Sequence, residues 1–207
     1  MSEKTITIDD VIVEAPIEAT VVDPADWFDT PGPVELEIGC GKGGFLLARA
    51  QRRPELRLVG IEWANQFFRF AADRMARWGV TNVRIMRTDA GHFVKTQLAS
   101  ECLSALHVYH PDPWPKKRHH KRRLIQPPFV EAAVRALQTG ARWAMQTDHD
   151  EYFEQIQTCL RGHPALMEVP YEDESYGAAG DGPGTNYELK YRRGGRIIHQ
   201  IAFVKCG

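Results

Sequence analysis

Between Ala105 and Arg123 the sequence A-L-H-V-Y-H-P-D-P-W-P-K-K-R-H-H-K-R-R joins three kinds of chemistry without a gap. Ala105 to Tyr109 reads as a short buried strand, and Pro111, Pro113 and Pro115 forbid a regular continuation while stiffening the exit loop. That loop presents one carboxylate, Asp112, and one indole, Trp114. Six cations follow within eight residues: Lys116, Lys117, Arg118, Lys121, Arg122 and Arg123, with His119 and His120 between them. An indole offers a flat face for stacking, and a dense run of guanidinium and ammonium groups suits a polyanion. The ordinary fate of a charge run is a solvated surface. This one abuts an acid and an aromatic at a strand end, which favours a working surface.

A second group lies upstream. Gly39, Gly41 and Gly44 satisfy G-x-G-x-x-G directly after the strand pattern Val34 to Ile38, and Glu62 stands near the distance at which dinucleotide folds place a ribose-binding acid. Those facts alone fit an NAD-dependent oxidoreductase. The other carboxylates weigh against it: Glu37 lies just before the glycine turn, Asp89 ends the third strand and Asp112 follows the fourth. A diphosphate would be repelled by such a ring. S-adenosylmethionine has no phosphate and carries an ammonium and a sulfonium, so acids near its methionine end are favourable. Glu62 can accept both ribose hydroxyls, and Asp89 is placed for the adenine amino group. Singly, each acid could be a helix cap or a surface charge; four at successive strand ends fit one ligand better.

These residues need a scaffold, and the pattern around them supplies one. Val34 to Ile38, Leu56 to Ile61, Val83 to Met86, Ala105 to Tyr109 and Arg142 to Gln146 read as strands, separated by helical stretches at Phe45 to Arg52, Ala64 to Trp78, His92 to Leu98 and Leu124 to Leu137. A helix at Tyr152 to Leu160 leads to a strand at Leu166 to Pro170, and Arg196 to Val204 reads as a last strand after a Gly194-Gly195 hairpin turn. This rhythm predicts a doubly wound α/β sheet, mostly parallel with an antiparallel C-terminal strand, that binds ligands at the strands' carboxyl ends. Residues 1 to 33 read as an extended acidic lead-in with an edge strand within Thr5 to Val13, and 34 to 207 as a single domain. Tyr176 to Gly184 reads as a glycine-rich loop.

Composition narrows the class. A chain of 207 residues suits one sizeable core, burying roughly 70% of the surface its unfolded form exposes. The formal net charge is -1, so the basic run is a local concentration in a nearly neutral protein. Cys40, Cys102, Cys159 and Cys206 are scattered without metal or disulfide spacing, which predicts no metal and a reducing cytoplasm. No apolar run is long enough to predict a membrane span.

The motifs V-E-L-E-I-G-C-G-K-G-G, G-I-E, T-D-A, H-P-D-P-W-P-K-K-R-H-H-K-R-R, Q-T-D and T-N-Y-E occur in that order, and together resemble the bacterial tRNA (guanine-N7-)-methyltransferase family over about Val34 to Glu188. The glycine motif is shared by many methyltransferases; the proline, aspartate and tryptophan loop with its basic run is specific to the family. The resemblance implies a Rossmann-like class I methyltransferase fold and transfer of a methyl group from S-adenosylmethionine to N7 of a guanine in the tRNA variable loop. By position it implies cofactor contacts at Glu37, Gly39, Gly41, Gly43, Glu62, Asp89, Ala90 and Asp112, with Asp112 also the catalytic residue. It implies substrate contacts at Lys116, Asp148, Thr185, Asn186, Tyr187 and Glu188. RNA contacts follow at Arg118, His119, His120, Lys121, Arg122 and Arg123. A carboxylate such as Glu188 can accept from the N1–H and N2–H donors of guanine. Trp114 would either stack on a base or anchor its own loop. The chain departs from the family in its acidic N-terminal segment and in Tyr187, where the usual residue is Phe. A non-catalytic RNA-binding protein would use the basic run but leave the cofactor acids without a role.

Overall fold

The computed structural model describes residues 5–171 and 197–207. The described chain opens with a four-residue helix α1 (Ile8–Val11) and a two-residue strand β1 (Ile12–Val13). From Val34 strands and helices alternate: β2 (Val34–Ile38), α2 (Gly44–Arg52), β3 (Arg57–Ile61), α3 (Asn65–Arg77), β4 (Val83–Met86), α4 (Ala90–Thr96) and β5 (Leu103–Tyr109). They continue as α5 (Pro127–Ala136), β6 (Leu137–Thr147), α6 (Asp150–Arg161), β7 (Leu166–Val169) and β8 (His199–Lys205). The described strands join one sheet in the order β1-β4-β3-β2-β5-β6-β8-β7, parallel except that β8 runs antiparallel to both neighbours. This is the doubly wound sheet expected from the sequence.

Both faces of the sheet are covered. Val34, Leu36 and Ile38 of β2 pack with Phe93, Phe129, Trp143 and Tyr152 in a core beneath α4, α5 and α6. Leu58, Ile85 and Ala144 face the other way, against Phe45 and Leu46 of α2 and Phe68 and Met75 of α3. The alternation V-E-L-E-I would suit a half-exposed strand; in the middle of a two-faced sheet it buries Glu35 and Glu37 instead, each 3% exposed. β3 and β4 lie on one side of β2, β5 and β6 on the other. The winding therefore reverses between β2 and β5, where open α/β sheets place their ligand crevice.

Three local readings change. Thr5 to Val13 alternates as an edge strand would, but Asp10 Oδ2 accepts hydrogen bonds from Thr7 N (2.9 Å) and Thr7 Oγ1 (2.7 Å), and that capping box starts α1. Only Ile12 and Val13 remain to pair with β4. β6 is longer than Arg142 to Gln146, leaving α5 at Leu137 without a loop. Pro127 and Pro128 occupy the first turn of α5, where a missing N–H costs nothing. The last strand begins at His199. The readings at Tyr176 to Gly184 and Gly194-Gly195 lie outside the described residues.

Candidate active site

The glycine turn between β2 and α2 is shaped by backbone that L-residues disfavour. Gly39, Gly41 and Gly43 have φ of 75°, 53° and 68°. A Cβ on Gly43 would stand 2.7 Å from Met75 Cε and 3.2 Å from Ala71 Cβ, so the turn is pressed onto α3. Gly39 N and Cys40 N both donate to Ile61 O, at 2.8 and 3.1 Å. Glu62, just past β3, braces the turn from the side: Oε2 accepts from Gly41 N and Oε1 from Ala64 N, each at 2.8 Å. Each carboxylate oxygen keeps acceptor capacity for a ligand. Asp89 caps α4 through Oδ1, which accepts from His92 N at 2.8 Å, and Ala90 is the first residue of that helix. The capping reading and the ligand reading of Asp89 are compatible, since Oδ2 takes no part in the cap.

Glu35 and Glu37 share one face of β2 but have opposite surroundings. Burial would raise the Glu35 carboxyl. The His107 hydrogen bond and Arg49 outweigh it and hold the group at about 2. Arg49 Nη2 donates to Glu35 Oε1 at 2.6 Å, and Arg49 Nε donates to Oε2. His107 Nε2 lies 3.0 Å from Glu35 Oε2, and its Nδ1 lies 2.9 Å from the Tyr109 hydroxyl. A neutral imidazole satisfies both by donating to Glu35 and accepting from Tyr109; burial favours that neutral form. Glu37 has no such support. Its Oε2 is buried without a hydrogen-bond partner, and burial, helped by the Glu62 charge, pushes its carboxyl up to about 8. A buried, unpartnered carboxylate beside the glycine turn suits a cation. The Glu35 network was not anticipated; acids alternating with aliphatics in a strand covered on both faces are the signal that would have found it.

Past β5 the chain turns sharply. His110 and Trp114, both non-glycine, have φ of 52° and 43° and bracket the Pro111-Asp112-Pro113 segment. His110 N donates to Gln146 O at 2.8 Å, and His110 Nδ1 lies 3.8 Å from Asp148 Oδ1 at the end of β6. Asp112 is exposed and, among the described residues, its carboxylate has no hydrogen-bond or ion-pair partner. The basic run that follows is a 3₁₀ helix over Lys117–Arg122. Its period of three sorts the side chains into rows. His119 meets the Trp114 ring edge-on at 5.8 Å and Arg122 lies over it at 5.0 Å, so Trp114 anchors its own loop. Lys116, Arg118, Lys121 and Arg122 are exposed. His120 and Arg123 turn inward to α6. Arg123, expected among the RNA contacts, is only 3% exposed and bonded within the protein, because the row it shares with His120 faces α6.

Along the carboxyl edge of the sheet the acids therefore succeed one another as Asp89, Glu62, Glu37, Asp112 and Asp148: Glu37 is within β2, and the others follow the ends of β4, β3, β5 and β6. The winding reversal falls between Glu37 and the Asp112 loop. Thr185, Asn186, Tyr187 and Glu188 lie outside the described residues. Among the described residues no helix is long and apolar enough to cross a membrane, and no group of three or more His, Cys, Asp and Glu could hold a metal ion.

A family model described as a putative methyltransferase matches residues 31–201. The tRNA (guanine-N(7)-)-methyltransferase of Treponema pallidum (strain Nichols) is 37% identical over 180 residues, covering 85% of this chain and 68% of that protein. The one from Nocardia farcinica is 34% identical over 192 residues, covering 89% and 71%. Among solved structures, TrmN from Thermus thermophilus superposes with a TM-score of 0.58 at 16% identity, over 87% of this chain and 46% of that one. A SAM-dependent O-methyltransferase from Thermotoga maritima gives 0.56 at 16% identity, over 85% and 60%. The structural likenesses establish the fold: a class I methyltransferase sheet.

Proposed function

The chain belongs to the tRNA (guanine-N(7)-)-methyltransferase family, and from that premise we propose that it transfers a methyl group from S-adenosylmethionine to N7 of a guanine in the variable loop of tRNA. The observation that carries the cofactor reading is the buried, unpartnered carboxylate of Glu37 at the winding reversal. In its ionised form it fits an ammonium and would repel a diphosphate, and even when protonated it offers a diphosphate no cation, so a nicotinamide dinucleotide is disfavoured at the same glycine turn. Glu37 receives the methionine end, Gly39, Gly41 and Gly43 let the backbone approach it, Glu62 accepts from the ribose hydroxyls, and Asp89 with Ala90 borders the adenine.

When bound, the cofactor supplies a methyl group whose bond to sulfur breaks as a bond to N7 forms, the electron pair leaving with sulfur and the positive charge passing to the purine. N7 carries a lone pair and no proton, so no residue here has to act as a base. Asp112 orients the reacting groups and favours the displaced charge from a fixed position. Preorganised groups of this kind are worth about 10² to 10³ in rate, so Asp112→Asn slows single-turnover methylation by that factor at saturating cofactor while tRNA still binds. Lys116, Arg118, His119, Lys121 and Arg122 hold the phosphate backbone beside this loop. Asp148 and Thr185 to Glu188 read the guanine. Residues 34–207 form the catalytic domain in this reading, with 1–33 as a lead-in, and its four scattered cysteines suit a reducing cytoplasm.

The test is incubation with an unmodified tRNA transcript and methyl-labelled cofactor, followed by digestion to nucleosides. Label in 7-methylguanosine supports the proposal; label confined to any other nucleoside, or none, rejects it.

A further inference from the structure

Arg123 closes the basic run in sequence but not in space. Its Nε donates to Pro113 O at 2.8 Å, and its Nη1 donates to Gln155 Oε1, also at 2.8 Å. Nη2 lies 3.0 Å from His120 Nε2, and the guanidinium stands 4.9 Å from the Tyr152 ring centroid. The two α6 partners are fixed in turn: Gln155 Nε2 donates to Ile125 O at 2.7 Å, and the Tyr152 hydroxyl accepts from Ile125 N at 3.1 Å. The charge is offset by Glu151, whose Oε1 lies 3.8 Å from Nη2. A buried cation persists only where its hydrogen bonds are met, and here they are met by the protein's own loop and helix.

The carbonyl it grips belongs to the residue after Asp112. Trp114, the next residue, sits in the left-handed region at φ 43°, a conformation that persists only when its surroundings impose it. At the other end of the loop, His110 N is held by Gln146 O. Asp112 lies between these two anchors, and its carboxylate has no partner of its own among the described residues. Among the described residues, the backbone is what sets where that carboxylate stands.

We propose that Arg123 is a positioning residue for methyl transfer: it fixes the Pro113 carbonyl against α6, and thereby the Asp112 carboxylate, and it makes no phosphate contact with tRNA. This rests on the active-site reading of Asp112 given above. Lysine keeps the charge but cannot donate to Pro113 O and Gln155 Oε1 in one plane, and a reacting group displaced by about 1 Å can cost on the order of 10²-fold in rate.

The test compares Arg123→Lys, Asp112→Asn and the double variant in full-length enzyme. Single-turnover rate is measured at saturating cofactor, alongside the salt dependence of tRNA binding. Arg123→Lys is expected to be about 10- to 100-fold slower, with an unchanged salt slope for tRNA. The double variant should be no slower than Asp112→Asn alone, because both remove one function. If Arg123→Lys does not fold, Gln155→Met, which removes the hydrogen bond that α6 makes to the same guanidinium, carries the comparison with the same readouts. Arg123→Gln should likewise leave the salt slope unchanged. A slope lowered by about one unit in that charge-removing variant would make Arg123 a phosphate contact and overturn the inference, as would multiplying losses in the double variant or a full rate in folded Arg123→Lys. A full rate in Asp112→Asn would overturn the active-site reading itself.

Discussion

Two carboxyl groups on one face of β2 titrate in opposite directions, and the difference predicts how the protein takes up its cofactor. Glu35, paired with Arg49 and His107, stays ionised down to about 2. Glu37 is raised from 4.5 to about 8 by burial and the Glu62 charge, so the ligand-free protein holds a proton there at neutral pH. A raised folded-state value means that this group's contribution to stability is complete below about 4.5 and is lost as pH climbs through about 8. A cationic ligand needs the ionised form and must expel the proton. S-adenosylmethionine affinity should therefore rise between about pH 6 and pH 7.5 by up to about tenfold per unit. Calorimetry in two buffers of different ionisation enthalpy should register proton release, and Glu37→Gln should abolish both effects. A pH-independent affinity in the unaltered protein would remove Glu37 from contact with the ligand's cationic end.

At the scale of elements, the six-residue 3₁₀ turn decides which cations meet solvent. The run of charge was legible in the sequence; the rotation was not, because an α-helix, a loop and a 3₁₀ turn distribute the same side chains differently. A period of three places His120 and Arg123 in one row toward α6, and His119 and Arg122 in another against Trp114. Arg118, Lys121 and Arg122 remain exposed. Neutralising these three together should lower the log-log salt slope of tRNA binding by roughly 2 to 3, about one unit for each phosphate no longer neutralised. Cofactor affinity should not move. A slope equal to that of the unaltered protein would make the run an ordinary solvated surface. The strands show the complementary case. Gly39 to Gly44 and the acids at Glu62, Asp89 and Asp112 could be located from the sequence because they punctuate strand ends, where local pattern decides. The pairing of Glu35 with Arg49 and His107 depends on which residues of α2 and β5 lie across β2, and only the assembled sheet specifies that. Thr7 and Asp10 similarly turned an alternating stretch into a helix through a cap whose bonds alternation does not encode.

For the whole molecule, function follows from where the winding reverses. Placing β3 and β4 on one side of β2 and β5 and β6 on the other puts the glycine turn at the winding reversal, with Glu62 and Asp89 to one side and the Asp112 loop to the other. The exposed cations of the 3₁₀ turn follow directly on that loop, which in the proposed function brings tRNA to the strand end where the cofactor is held. A protein of net charge -1 gathers six of its 26 Lys and Arg residues in this one run, which favours oriented docking over general adhesion to RNA. Methyl transfer of the proposed kind requires that the acceptor be the N7 lone pair, attacked without prior loss of a proton. The direct measurement uses two tRNAs that differ only at the accepting position, one with guanosine and one with 7-deazaguanosine, in which carbon replaces N7. Both should bind with the same affinity and the same salt dependence. Only the guanosine tRNA should acquire a labelled methyl group; methylation of the 7-deazaguanosine tRNA at that position would contradict N7 transfer.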